Sequence, residues 1–141
     1  MTNSIYPCLW FDGQAQAAAQ FYCSIFKNSK ITTDNSVAVS FELNGQKFMG
    51  LNGGPEFKFN EAVSFVIDCE TQQEIDYYWE QLISDGGKEG RCGWLKDKFG
   101  VSWQVIPTIL AKLLSNPDRA QGVVQAYMKM NKFDIHALEN A

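Results

Sequence analysis

Few side chains in this sequence carry reactive chemistry, and they are scattered. The candidates are four cysteines (Cys8, Cys23, Cys69, Cys92), a single histidine, His136, the loop carboxylates Glu56 and Glu61, and Gln104 within CGWLKDKFGVSWQVIP (92–107). The cysteines form no C-x-x-C pair and have no neighbouring histidine, so their spacing indicates neither a zinc site nor a disulfide framework. Cys92 as a nucleophile would need a base or cation to lower its thiol pKa. Without one it reads as a small, inert hydrophobe. Glu56 and Glu61 could move a proton, but carboxylates in a charged loop ordinarily face water. Gln104 can both donate and accept hydrogen bonds, so it could orient a ligand or simply be satisfied by backbone or water. Trp94 could stack on a planar ligand or pack within its hairpin. His136 reads as a surface residue.

The elements that must position these groups come from periodicity. IYPCLWF (5–11) is an aromatic-rich strand signal, and Asp12 is a plausible N-cap for the helix that follows. Ala15, Ala18, Ala19, Tyr22, Ile25 and Phe26 give that helix one apolar face. A short strand is expected near 31–33. SVAVSFEL alternates, Asn44-Gly45 is a strong hairpin signal, and QKFMGLN returns from it. The pattern then restarts with AVSFVID (62–68). A T-x-x-E capping box at Thr71 and Glu74 opens a helix with Ile75, Tyr78, Trp79, Leu82 and Ile83 on one face. Asp12 and Asp68, Phe21-Tyr22 and Tyr77-Tyr78, and Gly45 and Gly100 recur at a spacing near 56 residues. Two similar strand–helix–strands modules are therefore expected. In the second, Val101, Trp103 and Val105 share one strand face, and Ser102, Gln104 and Ile106 the other. Trp103 reads as core, and Asp97 and Gly100 as the hairpin turn. After Pro107 the chain turns helical, with Asn116-Pro117 as an N-cap followed by proline.

The 141 residues suit one domain with a real core, and the net charge of −4 offers no basic surface for nucleic acid. No run approaches the roughly 20 apolar residues of a membrane span. MTNSIYPCLWF lacks the basic segment and apolar run of a secretory signal, so a reduced, cytoplasmic protein is expected.

YPCLWFDGQAQAAAQFY, LNGGPEFKFNEAVSFVIDCETQQEID and CGWLKDKFGVSWQVIP resemble the PhnB-like branch of the glyoxalase/bleomycin-resistance/dioxygenase, or vicinal-oxygen-chelate, superfamily. That branch is often labelled 3-demethylubiquinone-9 3-methyltransferase. The resemblance runs over nearly the whole chain, the helical tail included. It implies an α+β fold of two βαβββ modules (5–53 and 62–107) curled into a cup, with a helical extension (108–141), and a homodimer. Metal-dependent relatives place four ligands in the cup. Those positions fall here at Pro7, at Leu51 or Asn52, at Ala62 and at Gln104. Proline, leucine and alanine cannot ligate, so no metal and no cofactor are expected. No Gly-rich turn follows a strand, so an adenosyl cofactor has no seat of the usual kind.

The function expected is metal-free binding of a small apolar or aromatic molecule, lined by Pro7, Leu9, Phe11, Asn52, Phe57, Phe59, Ser64, Trp94, Ser102 and Gln104. An enzyme of the superfamily is the alternative. The linker aromatics Phe57 and Phe59 either overhang the cup or pin the linker to the body or another subunit.

Overall fold

The repeat read in the sequence is a repeat of topology. The computed structural model describes residues 3–141, and its first module runs β1 (Cys8–Phe11), α1 (Ala15–Ile25), β2 (Lys30–Asp34), β3 (Ala38–Leu43) and β4 (Gln46–Asn52). The second runs β5 (Ser64–Cys69), α2 (Gln72–Ile83), β6 (Lys88–Glu89), β7 (Trp94–Lys96) and β8 (Ser102–Pro107). Each forms a four-stranded mixed sheet, β1-β4-β3-β2 and β5-β8-β7-β6, in which the first and last strands pair parallel. The fold is α+β with helices C-terminal to the second module. Two compact units result, Met1–Phe59 and Asn60–Ala141.

In the first unit, strand alternation buries Leu9, Phe11, Val39, Phe41 and Leu43 on the side that α1 covers. The helix contributes Ala15, Ala18, Ala19, Tyr22 and Ile25, the face its spacing predicts. Small residues let it lie close: a Cβ at Gly50 would stand 3.2 Å from that of Ala15. Asn44 and Gly45 both take positive φ (49° and 83°), as the two-residue hairpin between β3 and β4 requires. Asp12 does not cap α1. The helix begins after Gln14, which makes no side-chain cap. Instead Asn52, at the end of β4, accepts a 2.9 Å hydrogen bond from the Ala15 N–H through Oδ1.

In the second unit, Thr71 and Glu74 form the capping box as read, and Ile75, Trp79 and Leu82 are buried. The β7–β8 turn is organised by Asp97, which is 3% exposed. Its Oδ1 accepts from the N–H groups of Phe99 (2.9 Å) and Val101 (3.1 Å), and its Oδ2 from the indole N–H of Trp103 (2.9 Å). Trp103 is core, tilted against Phe65 at 5.4 Å.

The tail belongs to this second unit: α3 (Ile109–Leu114), α4 (Pro117–Tyr127) and α5 (Ile135–Glu139). Asn116 caps α4 with Pro117 at its first turn. The chain between α4 and α5 docks on the module through backbone hydrogen bonds, Cys92 N–H to Met130 O and Gly93 N–H to Asn131 O, each 2.8 Å. Phe133 is buried at the same place, and a Cβ at Gly93 would fall 2.4 Å from its ring. Gln72 clasps the segment from α2, donating to Phe133 O (2.9 Å) and accepting from Ile135 N–H (2.8 Å), while Lys132 pairs with Asp76 at 2.8 Å. The lysine holds the Asp76 carboxyl below its ordinary range.

Candidate functional site

Strand pairing decides which side chains meet on the uncovered face of the second sheet. Ser64 lies opposite Ser102, Val66 opposite Gln104 and Asp68 opposite Ile106. Across the other edge of β8, Trp94 lies opposite Gln104 and Lys96 opposite Ser102. The register thus gathers Ser64, Trp94, Ser102 and Gln104 on one face. It adds Val66, which is 57% exposed, and Lys96. Gln104 donates from Nε2 to Ser64 Oγ at 2.9 Å. Its amide oxygen has no partner among the described residues.

A cleft of about 390 Å³ opens on this unit, lined in part by Trp94, Lys96 and Ser102 together with Lys88 and Arg91. That volume suits a small organic ligand. Lys88 reaches the same face because it pairs with Lys96 across β6 and β7. Two carboxylates border the cleft and both are engaged. Glu61 pairs with Lys96 at 3.1 Å, and the hydrogen bond and charge of that lysine keep its carboxyl below the ordinary range. Glu89 accepts the indole N–H of Trp79 at 2.8 Å. Among the described residues the buried Ser102 hydroxyl has no hydrogen-bond partner, which is rare in folded proteins. Sequence reading missed Lys88, Arg91 and Lys96 because charged residues in a Gly-rich turn resemble any solvated loop.

Several predicted lining residues belong elsewhere. Leu9 and Phe11 are buried on the α1 side of their sheet, 7% and 2% exposed, and are core rather than lining. The residues on the other face of β1 are Cys8 and Trp10. The 56-residue period already implied this, since Ser64 and Val66 minus one period are positions 8 and 10. Pro7 precedes β1, and its carbonyl accepts from Met49 N–H at 3.0 Å. Asn52 is a clamp and not a ligand group. Besides capping α1 it donates to Gln16 Oε1 (2.9 Å) and Ser36 O (3.1 Å), so both ends of its amide are committed. Phe57 and Phe59 pin the linker to the first unit by edge contacts, Phe57 on Trp10 at 4.9 Å and Phe59 on Phe11 at 5.3 Å.

The donor set does not fit the superfamily's metal. The first-module counterpart of Gln104, judged by pairing with the first strand, is Leu51, which lies opposite Trp10 as Gln104 lies opposite Val66. Leucine offers no donor, and the neighbouring Asn52 is spent on structure. Among the described residues no three His, Cys, Asp or Glu side chains cluster where they could hold a metal ion. The cysteines are all free; burial, with Glu74 and Asp68 nearby, pushes the Cys69 thiol up to about 12. Cys92 sits at a positive φ of 58° in the turn that the tail grips. His136 is exposed on α5 beside Asn140. Among the described residues no helix is long and apolar enough to cross a membrane.

Paired βαβββ sheets of this kind define the glyoxalase fold of the vicinal-oxygen-chelate superfamily, and the solved relatives carry it. The chain belongs to the PhnB-like family whose model is described as 3-demethylubiquinone-9 3-methyltransferase, matched over residues 3–106. The PhnB protein from Bacillus cereus is 33% identical over 75% of this chain and 100% of its own, with a TM-score of 0.68. The fosfomycin resistance protein FosX from Listeria monocytogenes, solved with Mn(II) and sulfate, is 14% identical (82% of this chain, 97% of its own, TM-score 0.61) and shares the fold. So does a glyoxalase-related enzyme from Fulvimarina pelagi at 16% identity, 77% and 91% coverage and a TM-score of 0.57. No protein of curated function matches in sequence. The family match ends at 106, so the tail lies outside it, contrary to the expectation that the resemblance extends to the C-terminus.

Proposed function

We propose that this chain is a metal-free binding protein that holds a small apolar or aromatic molecule on the uncovered face of its second sheet. The observation that carries the reading is the cleft itself, where an indole, Trp94, stands beside a buried hydroxyl, Ser102, that lacks a partner. Exposed Val66 on the same face adds apolar surface for a ligand. Binding rather than turnover fits the carboxylates, because Glu61 and Glu89 are each engaged and supply no free acid–base pair. Methyl transfer, named in the family's description, is not part of this reading. Two four-stranded mixed sheets are not the doubly wound sheet that commonly seats an adenosyl cofactor. A reduced, cytoplasmic homodimer completes the proposal, supported by four free cysteines and the family resemblance.

The test is mapping of backbone amide chemical shifts while a set of small aromatic fragments is added. Saturable shifts centred on Trp94, Lys96, Ser102 and Gln104 are expected. Saturable shifts confined to other surfaces, or none, would overturn the assignment.

A further inference from the structure

The hydrogen-bonding state of the cleft's lining groups constrains its occupant more than the cleft's shape does. Each lining carboxylate already accepts, Glu61 from Lys96 and Glu89 from Trp79. The lining groups left without a protein partner among the described residues can all donate. Lys88 and Arg91 take part in no ion pair or side-chain hydrogen bond among the described residues. Of the four tryptophans, Trp10, Trp79 and Trp103 donate their indole N–H to Gly54 O, Glu89 and Asp97, whereas that of Trp94 has no partner among the described residues. The Ser102 hydroxyl is buried and equally unmet. Two free cations, an indole N–H and an orphan hydroxyl lining one cleft call for acceptors and negative charge.

We infer that the occupant is a small organic anion, an aromatic or apolar body bearing one acidic group such as a carboxylate. Trp94 contacts the body, while Lys88 and Arg91 receive the charged end. Arg91 presents a planar fork suited to two-point binding of an oxyanion. It stands next to Cys92 and Gly93, whose N–H groups are tied to the tail. The anion therefore meets a held loop instead of a free one. This inference rests on the proposed use of the cleft for small-molecule binding.

The experiment is isothermal titration calorimetry with three probes of one shape: benzoate, neutral benzamide and benzylammonium. Benzoate is expected to bind at least tenfold more tightly than benzamide and to weaken as salt is raised. Benzylammonium is expected not to bind. Lys88→Gln with Arg91→Gln should cost benzoate at least tenfold and benzamide much less, so that the preference for benzoate collapses. Both residues are exposed and unpartnered, so the double variant keeps the fold, and a matching thermal transition verifies it. Benzamide binding as well as benzoate, or benzylammonium binding best, would overturn the anion while leaving the cleft as a binding site. Failure of all three to bind would overturn both.

Discussion

Replacing Asp97 by alanine tests whether one buried carboxylate holds the β7–β8 hairpin. The substitution leaves the Trp103 indole N–H and the Val101 N–H buried without these acceptors, and the Phe99 N–H partly so. Each buried donor stranded in this way costs about 1–3 kcal/mol, and hydrogen bonds to a charged acceptor lie at the upper end. Two fully buried donors and one partly buried donor, with some relaxation toward water, give a loss of about 3–5 kcal/mol. Few surface-turn substitutions reach that size. Asp97→Asn keeps the shape and one acceptor oxygen but turns an amide N–H₂ toward donors, so about half that loss is expected. Urea unfolding followed by tryptophan fluorescence and far-ultraviolet circular dichroism measures both variants. The turn also sets the register that places Trp94 beside Gln104, so amide shifts on both residues should move in Asp97→Asn. An Asp97→Ala loss below about 1 kcal/mol would refute the reasoning, because no buried donor would then depend on this acceptor.

Other variants probe separate parts of the structure. Gly93→Ala combines a left-handed φ of 82° with a Cβ inside the Phe133 ring contact, and should cost about 3 kcal/mol in urea unfolding. Combined with Phe133→Ala the two losses should be clearly less than additive, and strict additivity would deny the contact. Asn52→Ala should cost about 1 kcal/mol, as loss of an N-cap does, while fragment binding to the second unit stays unchanged. Because the folded Cys69 thiol is raised to about 12 from an ordinary value near 9.0, its contribution to stability is complete below pH 9 and is lost as pH climbs toward 12. Cys69→Ala should flatten that alkaline decline. In the native protein Cys69 should also resist a thiol reagent at pH 8 and react only after unfolding.

The fold was legible because its signals are local and repeated. The capping box at Thr71, the Asn44-Gly45 turn and the apolar faces of both helices are each set by neighbours within a few residues. The site was legible only in part. Ser102 and Gln104 share a face because alternation along β8 fixes it, whereas Ser64 and Trp94 join them through the register of β5 and β7 against β8. Leu9 and Phe11 were misplaced because β1 is apolar throughout, so alternation within it carries no sign. Only its pairing with β4, or the repeat arithmetic, shows which face α1 covers. Asn52 looked like a ligand group because its partners, Ala15 and Gln16 at the start of α1, lie 36–37 positions away. Lys88 and Arg91 became informative only when their lack of partners could be seen in three dimensions. The docking of Phe133 on Gly93 has no short-range signature at all.

The most direct test of a metal-free binding protein is native mass spectrometry of freshly purified protein, prepared without chelators. The account predicts subunits in pairs, no stoichiometric metal, and a retained organic mass of a few hundred daltons or less that is lost in Trp94→Ala. A stoichiometric divalent transition metal would contradict it and restore the superfamily's metal chemistry as the working explanation.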